Sequence, residues 1–154
     1  MKIKDVLKES CVVADLAGQT KNEVLRELAV ALKDAGQIKD VDAAVEVMLE
    51  RERLGSTGIG DGIAIPHGKL KGLKTILCVF GRSIKGVPFD SVDRKPVHIF
   101  FLLLAPEDSA GLHLKMLSRI SRVLRDPAFR KKLLEQPGQG DLYTDIVNED
   151  EKFS

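Results

Sequence analysis

Residues 97–104 (VHIFFLLL) constrain the fold of this chain more than any other stretch. The run is β-branched, aromatic and apolar without alternation, so it reads as a central strand covered on both faces. Such a strand needs a layer of helix on each side of its sheet. Upstream, Thr20 and Glu23 have the spacing of a capping box, where each side chain satisfies a backbone donor at a helix start. Val24, Leu25, Leu28, Ala31 and Leu32 follow at helical intervals, and Gly36 supplies the stop. A second helix opens near Asp40, carries Val41, Ala44, Val45 and Met48 on one face, and ends around Arg53. Downstream, residues 106–109 make a turn and a cap. The helix after them places Leu112, Met116, Leu117, Ile120, Val123 and Leu124 on one side. Asp126-Pro127 restarts a short helix through Leu134, and residues 142–147 make one more. Further strands are expected at residues 11–14, 63–65 and 75–80.

The expected architecture is therefore a single α/β domain over residues 1–154, a mixed β-sheet with helices packed on both faces. Its core should span about residues 3–147, with a short acidic C-terminal tail. At 154 residues the chain is one ordinary domain, long enough to bury roughly 70% of its unfolded surface without a metal or disulfide staple. The longest apolar run, residues 99–105, falls far short of the ~20 residues of a membrane helix. MKIKDVLKES has no apolar signal core, so a cytoplasmic protein with no direct membrane insertion is expected. Cys11 and Cys78 sit among strand-like residues and read as reduced core thiols.

The 24 Lys and Arg against 23 Asp and Glu leave a net charge of +1, without the positive surplus that a nucleic-acid binder needs. That balance is uneven along the chain. Residues 113–132 hold seven basic residues and one acid, whereas residues 137–154 hold five acids and one base. The basic run is either a solvated helix face or a docking surface for a protein partner.

The most unusual stretch is GSTGIGDGIAIPHGK, residues 55–69, with five of the chain's 13 glycines between Gly55 and Gly68. Such density marks backbone at positive φ, or backbone that another group approaches closely. It is not a Walker A loop, because Leu70 follows Gly68-Lys69 and no glycine stands at 63. Nor does it match GxGxxG. What it supplies is a histidine at a strand exit. Residues 63–65 make a short strand, Pro66 ends its ladder for want of a donor, and His67 emerges with Gly68 leaving room beside it. A histidine so placed either satisfies a loop carbonyl or reacts, and the glycine-rich setting favours reaction or binding.

Three more groups can converge on His67. His113 lies in the first turn of its helix and shares a face with Met116, Leu117 and Ile120, which points it toward the sheet. It is either a second site residue or a buried structural histidine. Arg51 can fork around phosphate oxygens or simply cap the end of its helix. Ser56 and Thr57 offer hydroxyls to a phosphate, or serve as turn residues. His98, inside the central strand, is structural. No Asp, Glu, His and Cys cluster has metal-ligand spacing, so neither metal nor cofactor is expected.

Arg51-Glu52-Arg53 followed by GSTGIGDGIAIPHGK resembles the signature of the phosphotransferase-system enzyme IIA family of fructose, mannitol and nitrogen-regulatory type. PFDSVDRKPV and HLKMLSRIS extend the resemblance from about residue 3 to residue 147, and its nitrogen-regulatory branch is the most similar. The resemblance departs at Asp61, where related proteins often carry Gly or Asn. It implies that His67 is the phosphoacceptor, phosphorylated on Nε2 by an HPr- or NPr-like carrier. It further implies that Arg51 contacts the phosphate, that His113 is the second site histidine, and that Ser56, Thr57 and Gly68 line the phosphate. The partners implied are regulated proteins, or a IIB component of a fructose or mannitol permease. A different class of reading, a ligand- or metal-binding sensor built on His67 and His113, remains open at this point.

Overall fold

Strand β6 (Val97–Ala105) runs through a six-stranded sheet and is buried along its length except at the partly exposed His98. The computed structural model describes residues 1–153. On one side of β6 lies β5 (Leu77–Val87), antiparallel, with Leu77 opposite Leu104 and Phe80 opposite Phe101. Beyond it, β1 (Leu7–Val13) runs parallel to β5. On the other side, β3 (Ile63–Ala64) and then β4 (His67–Lys69) run parallel to β6, one after the other along the same edge. Strand β2 (Gly58–Gly60) folds back on β3 as a hairpin.

Two helix layers cover the sheet, as the unalternating β6 requires. Helix α1 (Lys21–Asp34) lies on β5 and β1 and packs against α2 (Val41–Arg53), which in turn lies on β4. Helix α3 (Ala110–Val123) lies on β6, and α5 (Gln139–Glu151) lies on β1 beside α3. Helix α4 (Pro127–Glu135) joins them. The α1 cap forms half of the expected box. Thr20 Oγ1 accepts from Glu23 N at 3.2 Å, while the Glu23 carboxylate reaches Gln19 N instead of Thr20 N. Close approach of α1 to the sheet explains Gly81, where a Cβ would fall 2.7 Å from Leu28 Cδ2.

Three boundaries differ from expectation, each because of a contact distant in sequence. Strand β1 starts at Leu7, not Cys11, and its register against β5 slips between Leu7 and Val12, which masks the pattern. Strand β5 continues past Phe80 through Arg82, a buried cation. Its guanidinium donates to the carbonyls of Ala14, Leu133 and Gln136. Helix α5 runs on to Glu151, so the acidic end is helical and not a tail. Asp150 is 1% exposed, accepting Ile3 N–H at 2.7 Å and the Arg119 guanidinium. Lys132 meets Asp145 at 3.5 Å. The charge runs segregated along the sequence thus partly neutralise each other in space.

Among the described residues, no helix is long and apolar enough to cross a membrane. Cys11 and Cys78 are free and buried, and burial pushes the Cys78 thiol far above its ordinary range.

Candidate active site

The edge formed by β3 and β4 builds the site. Pro66 has no N–H, so one rung of the ladder is missing. Its carbonyl nevertheless accepts Leu103 N–H at 2.9 Å, and pairing resumes with His67 opposite Leu103. Pro66 therefore interrupts the strand and does not end it, because β6 continues alongside to Ala105. Alternation along β4 then turns His67 and Lys69 to one face and Gly68 to the other. On the Gly68 side lies α2. A Cβ there would stand 2.4 Å from Val47 Cγ1, so the glycine admits the helix.

The His67 ring is held at both nitrogens. Nδ1 lies 2.8 Å from the Ile65 carbonyl, which can only accept, so Nδ1 carries the proton. Nε2 lies 3.3 Å from Arg51 Nε, which can only donate, so Nε2 presents its lone pair. Both contacts specify the same neutral tautomer. Burial pushes the His67 pKa below the ordinary histidine value. The Ile65 bond opposes that shift, and the Arg51 charge adds to it. Arg51 is itself anchored, its Nη1 donating to the Gly55 carbonyl at 2.8 Å.

His113, 7% exposed in the first turn of α3, meets His67 edge to face with ring centroids 5.3 Å apart. Its Nε2 is buried and has no hydrogen-bond partner among the described residues. Burial lowers its pKa too, with the charges of His67 and Lys69 acting in the same direction. A groove of about 540 Å³ opens over the pair. Arg51, His67, Gly68 and His113 line it, and Leu54 and Leu114 stand at its mouth, 84% and 66% exposed. Arg51, His67, His113 and Gly68 are thus brought together.

Ser56 and Thr57 are not brought to this groove, which corrects their expected place on the phosphate. Ser56 Oγ donates to the Phe89 carbonyl at 2.7 Å and accepts from Gly58 N–H at 3.0 Å, closing a turn. Thr57 is 3% exposed and its hydroxyl donates inward to the Glu52 carboxylate. Nothing in the spacing singles out Glu52, because its partners come from a loop and another helix. Leu54 and Leu114 also had no periodic signal, since Leu54 lies just past the end of α2 and Leu114 points away from the core face of α3. His98 is structural as expected, with Nδ1 bonded to the Ser83 carbonyl at 2.8 Å. Among the described residues, no group of three or more His, Cys, Asp or Glu gathers to hold a metal ion.

The paired histidines and their arginine sit in a chain whose residues 5–149 match the family described as phosphoenolpyruvate-dependent sugar phosphotransferase system, EIIA 2. The chain belongs to the EIIA 2 family. It is similar to a nitrogen regulatory protein of Bradyrhizobium diazoefficiens, 44% identical over 134 residues, with 86% of each chain covered. It is also similar to the fructose-specific EIIABC component of Bacillus subtilis, 38% identical over 152 residues. That match covers 99% of this chain, which spans only 24% of the larger protein. The crystal structure of nitrogen regulatory protein IIA-Ntr from Neisseria meningitidis superposes with a TM-score of 0.86 at 32% identity, covering 94% of this chain and 98% of that one.

Within this EIIA 2 fold, the departing residue Asp61 lies away from the groove. It turns the β2–β3 hairpin at φ 58° ahead of Gly62 at φ 76°, the left-handed pair that a tight hairpin requires. Its register position precedes Ile63, which pairs with Ile99, while His67 pairs with Leu103. Four strand residues separate those rungs, a distance of about 13 Å.

Proposed function

We propose that this EIIA 2 protein is a phosphohistidine carrier. It accepts a phosphoryl group on His67 Nε2 from an HPr- or NPr-like carrier and acts mainly as a regulator. The observation that carries this reading is the doubly held ring, with Nδ1–H on the Ile65 carbonyl and the Nε2 lone pair turned to Arg51. The imidazole is neutral at physiological pH, so it is ready as a nucleophile. The Nε2–phosphorus bond forms as the donor's nitrogen–phosphorus bond breaks, and that electron pair returns to the donor ring. Nδ1 keeps its proton throughout. Such transfer depends mainly on positioning and on neutralising charge at the equatorial oxygens. Arg51, tethered through Gly55, stays beside those oxygens after it releases Nε2. A phosphoryl oxygen near the His113 ring gives its unpartnered Nε2 something to bond.

Phosphorylation adds about −1.5 to −2 charges to a groove edged by Leu54 and Leu114, enough to make or break an interface. The regulatory role draws support from the likeness to nitrogen regulatory proteins that this chain matches nearly end to end. A second reading, a fructose- or mannitol-type IIA passing phosphate to a IIB component, draws on the likeness to one part of the Bacillus subtilis component.

The test is to incubate the protein with radiolabelled phosphoenolpyruvate, enzyme I and an HPr-type carrier. Acid-labile, base-stable label on the wild type, lost in His67→Ala, is expected. An unlabelled wild type would overturn the carrier reading. Pull-downs with labelled and unlabelled protein then separate a regulatory partner from a IIB-type acceptor that removes the label.

A further inference from the structure

Glu52 is a costly residue where it stands. Its carboxylate is 4% exposed and lies in the last turn of α2, the end of a helix that disfavours negative charge. What it holds there explains its presence. Thr57 N–H donates to both carboxylate oxygens at 3.2 and 3.0 Å, and the Thr57 hydroxyl donates to one of them. Lys21 of α1 pairs with it at 2.9 Å and reaches on to Asp90 at 3.2 Å.

Two chains of bonds lead from this knot to the two nitrogens of one ring. Along the first, the Thr57 carbonyl accepts Ile65 N–H at 3.0 Å, and the Ile65 carbonyl accepts His67 Nδ1–H at 2.8 Å. Along the second, Gly55 lies inside the loop that Glu52 and Thr57 close. Its N–H donates to the Glu52 carbonyl at 3.1 Å, and its own carbonyl holds Arg51, whose Nε faces His67 Nε2 at 3.3 Å. We infer that the Glu52–Thr57 pair is a positioning clamp that fixes the tautomer of His67 from one side and the guanidinium against it from the other. Neither residue touches the reacting atoms. Thr57, expected on the phosphate, serves the reaction from behind the nucleophile. This inference rests on the carrier reading for its consequence in transfer, but not for the clamp itself.

Thr57→Val removes the hydroxyl at nearly constant volume, and Thr57→Ser restores it. Two measurements read the result in the full chain. The first is two-bond ¹H–¹⁵N NMR of the His67 ring nitrogens, which reports the tautomer and needs no phosphoryl donor. The second is kcat and KM for the carrier in the labelling assay. Thr57→Val should mix the tautomers and lower kcat about tenfold with KM unchanged, because misorientation of a nucleophile acts on the chemical step. Thr57→Ser should recover both signals. Glu52→Gln, which keeps one acceptor but loses the charge facing Lys21, should shift them in the same direction and gives the reading if Thr57→Val fails to fold. Wild-type ring signals in Thr57→Val, or a change in KM alone, would overturn the clamp. An unlabelled wild type with altered ring signals in Thr57→Val would uphold the clamp and overturn the carrier reading instead.

Discussion

Arg51 Nε lies 3.3 Å from His67 Nε2, so the cation occupies the same lone pair that a phosphoryl group would take. The resting site is therefore closed by its own arginine. Burial, and to a lesser extent the positive charge beside it, disfavours protonation of the ring, which would occupy the lone pair of Nε2. On the proposed carrier reading, Arg51 shields the neutral nucleophile and would neutralise the incoming group.

Arg51→Ala should slow transfer to His67 about a hundredfold, the scale on which loss of a fixed charge-stabilising donor is felt. Folding should change little, since among the described residues the guanidinium's only other hydrogen bond is to the Gly55 carbonyl. Rapid-quench labelling against urea unfolding checks the pair. An unaltered transfer rate would make Arg51 a mere helix-end charge.

The pH dependence has a definite sign. Burial lowers the pKa of both His67 and His113 in the folded protein. The unfolded chain therefore takes up protons first as pH falls through about 6.5, and stability contributed by the neutral rings is complete above that value. It is lost progressively from there down to the folded pKa values. The urea midpoint should hold steady from about pH 8 to 7 and fall below about 6.5, more steeply than in a His67→Gln/His113→Gln double variant. Labelling should fall off only at a lower pH than the ordinary histidine value, since burial lowers the His67 pKa. A labelling profile that halves at the ordinary histidine value would contradict the burial argument.

His113→Leu should separate function from stability. The buried Nε2 of His113 bonds to nothing among the described residues, so an apolar side chain loses no hydrogen bond there. The melting temperature should stay level or rise, while transfer drops at least about tenfold for want of a group on the phosphoryl oxygens. Calorimetry and labelling on one preparation decide it. A large fall in melting temperature would mean that the histidine holds the core.

Gly68→Ala should destabilise by about 1–3 kcal/mol, because its Cβ would overlap Val47 Cγ1 at 2.4 Å. Combining it with Val47→Ala should return much of that loss in a double-mutant cycle. Additive effects of the two changes would show that α2 moves away as a body.

The elements written in local patterns were legible: β6 by its unbroken apolar run, α1 and α2 by apolar spacing between a capping residue and a stop. Arg82 was not, since the carbonyls that stabilise a buried guanidinium come from Ala14, Leu133 and Gln136, far away in the chain. At the site, Arg51, His67 and His113 stood out because a helix end, a Pro-Gly frame and a helix start each aim a polar side chain at the same place. The neighbouring hydroxyls of Ser56 and Thr57 looked equivalent in sequence. They part company in space, one closing a turn on Phe89 and the other buried on Glu52. Which way a loop hydroxyl faces depends on what packs behind the loop, and no spacing rule reports that.

The bond between Ile3 N–H and the Asp150 carboxylate also has a consequence for how the protein is made. Ile3 waits for Asp150, which is added 147 residues later, and β1 waits with it, since α5 covers that strand and β5 flanks it. At a ribosomal pace of about 5–20 residues per second, that interval lasts roughly 7–30 s. During it the edge of the nascent sheet is open to other chains. Ile3 finds its partner only once Asp150 has emerged.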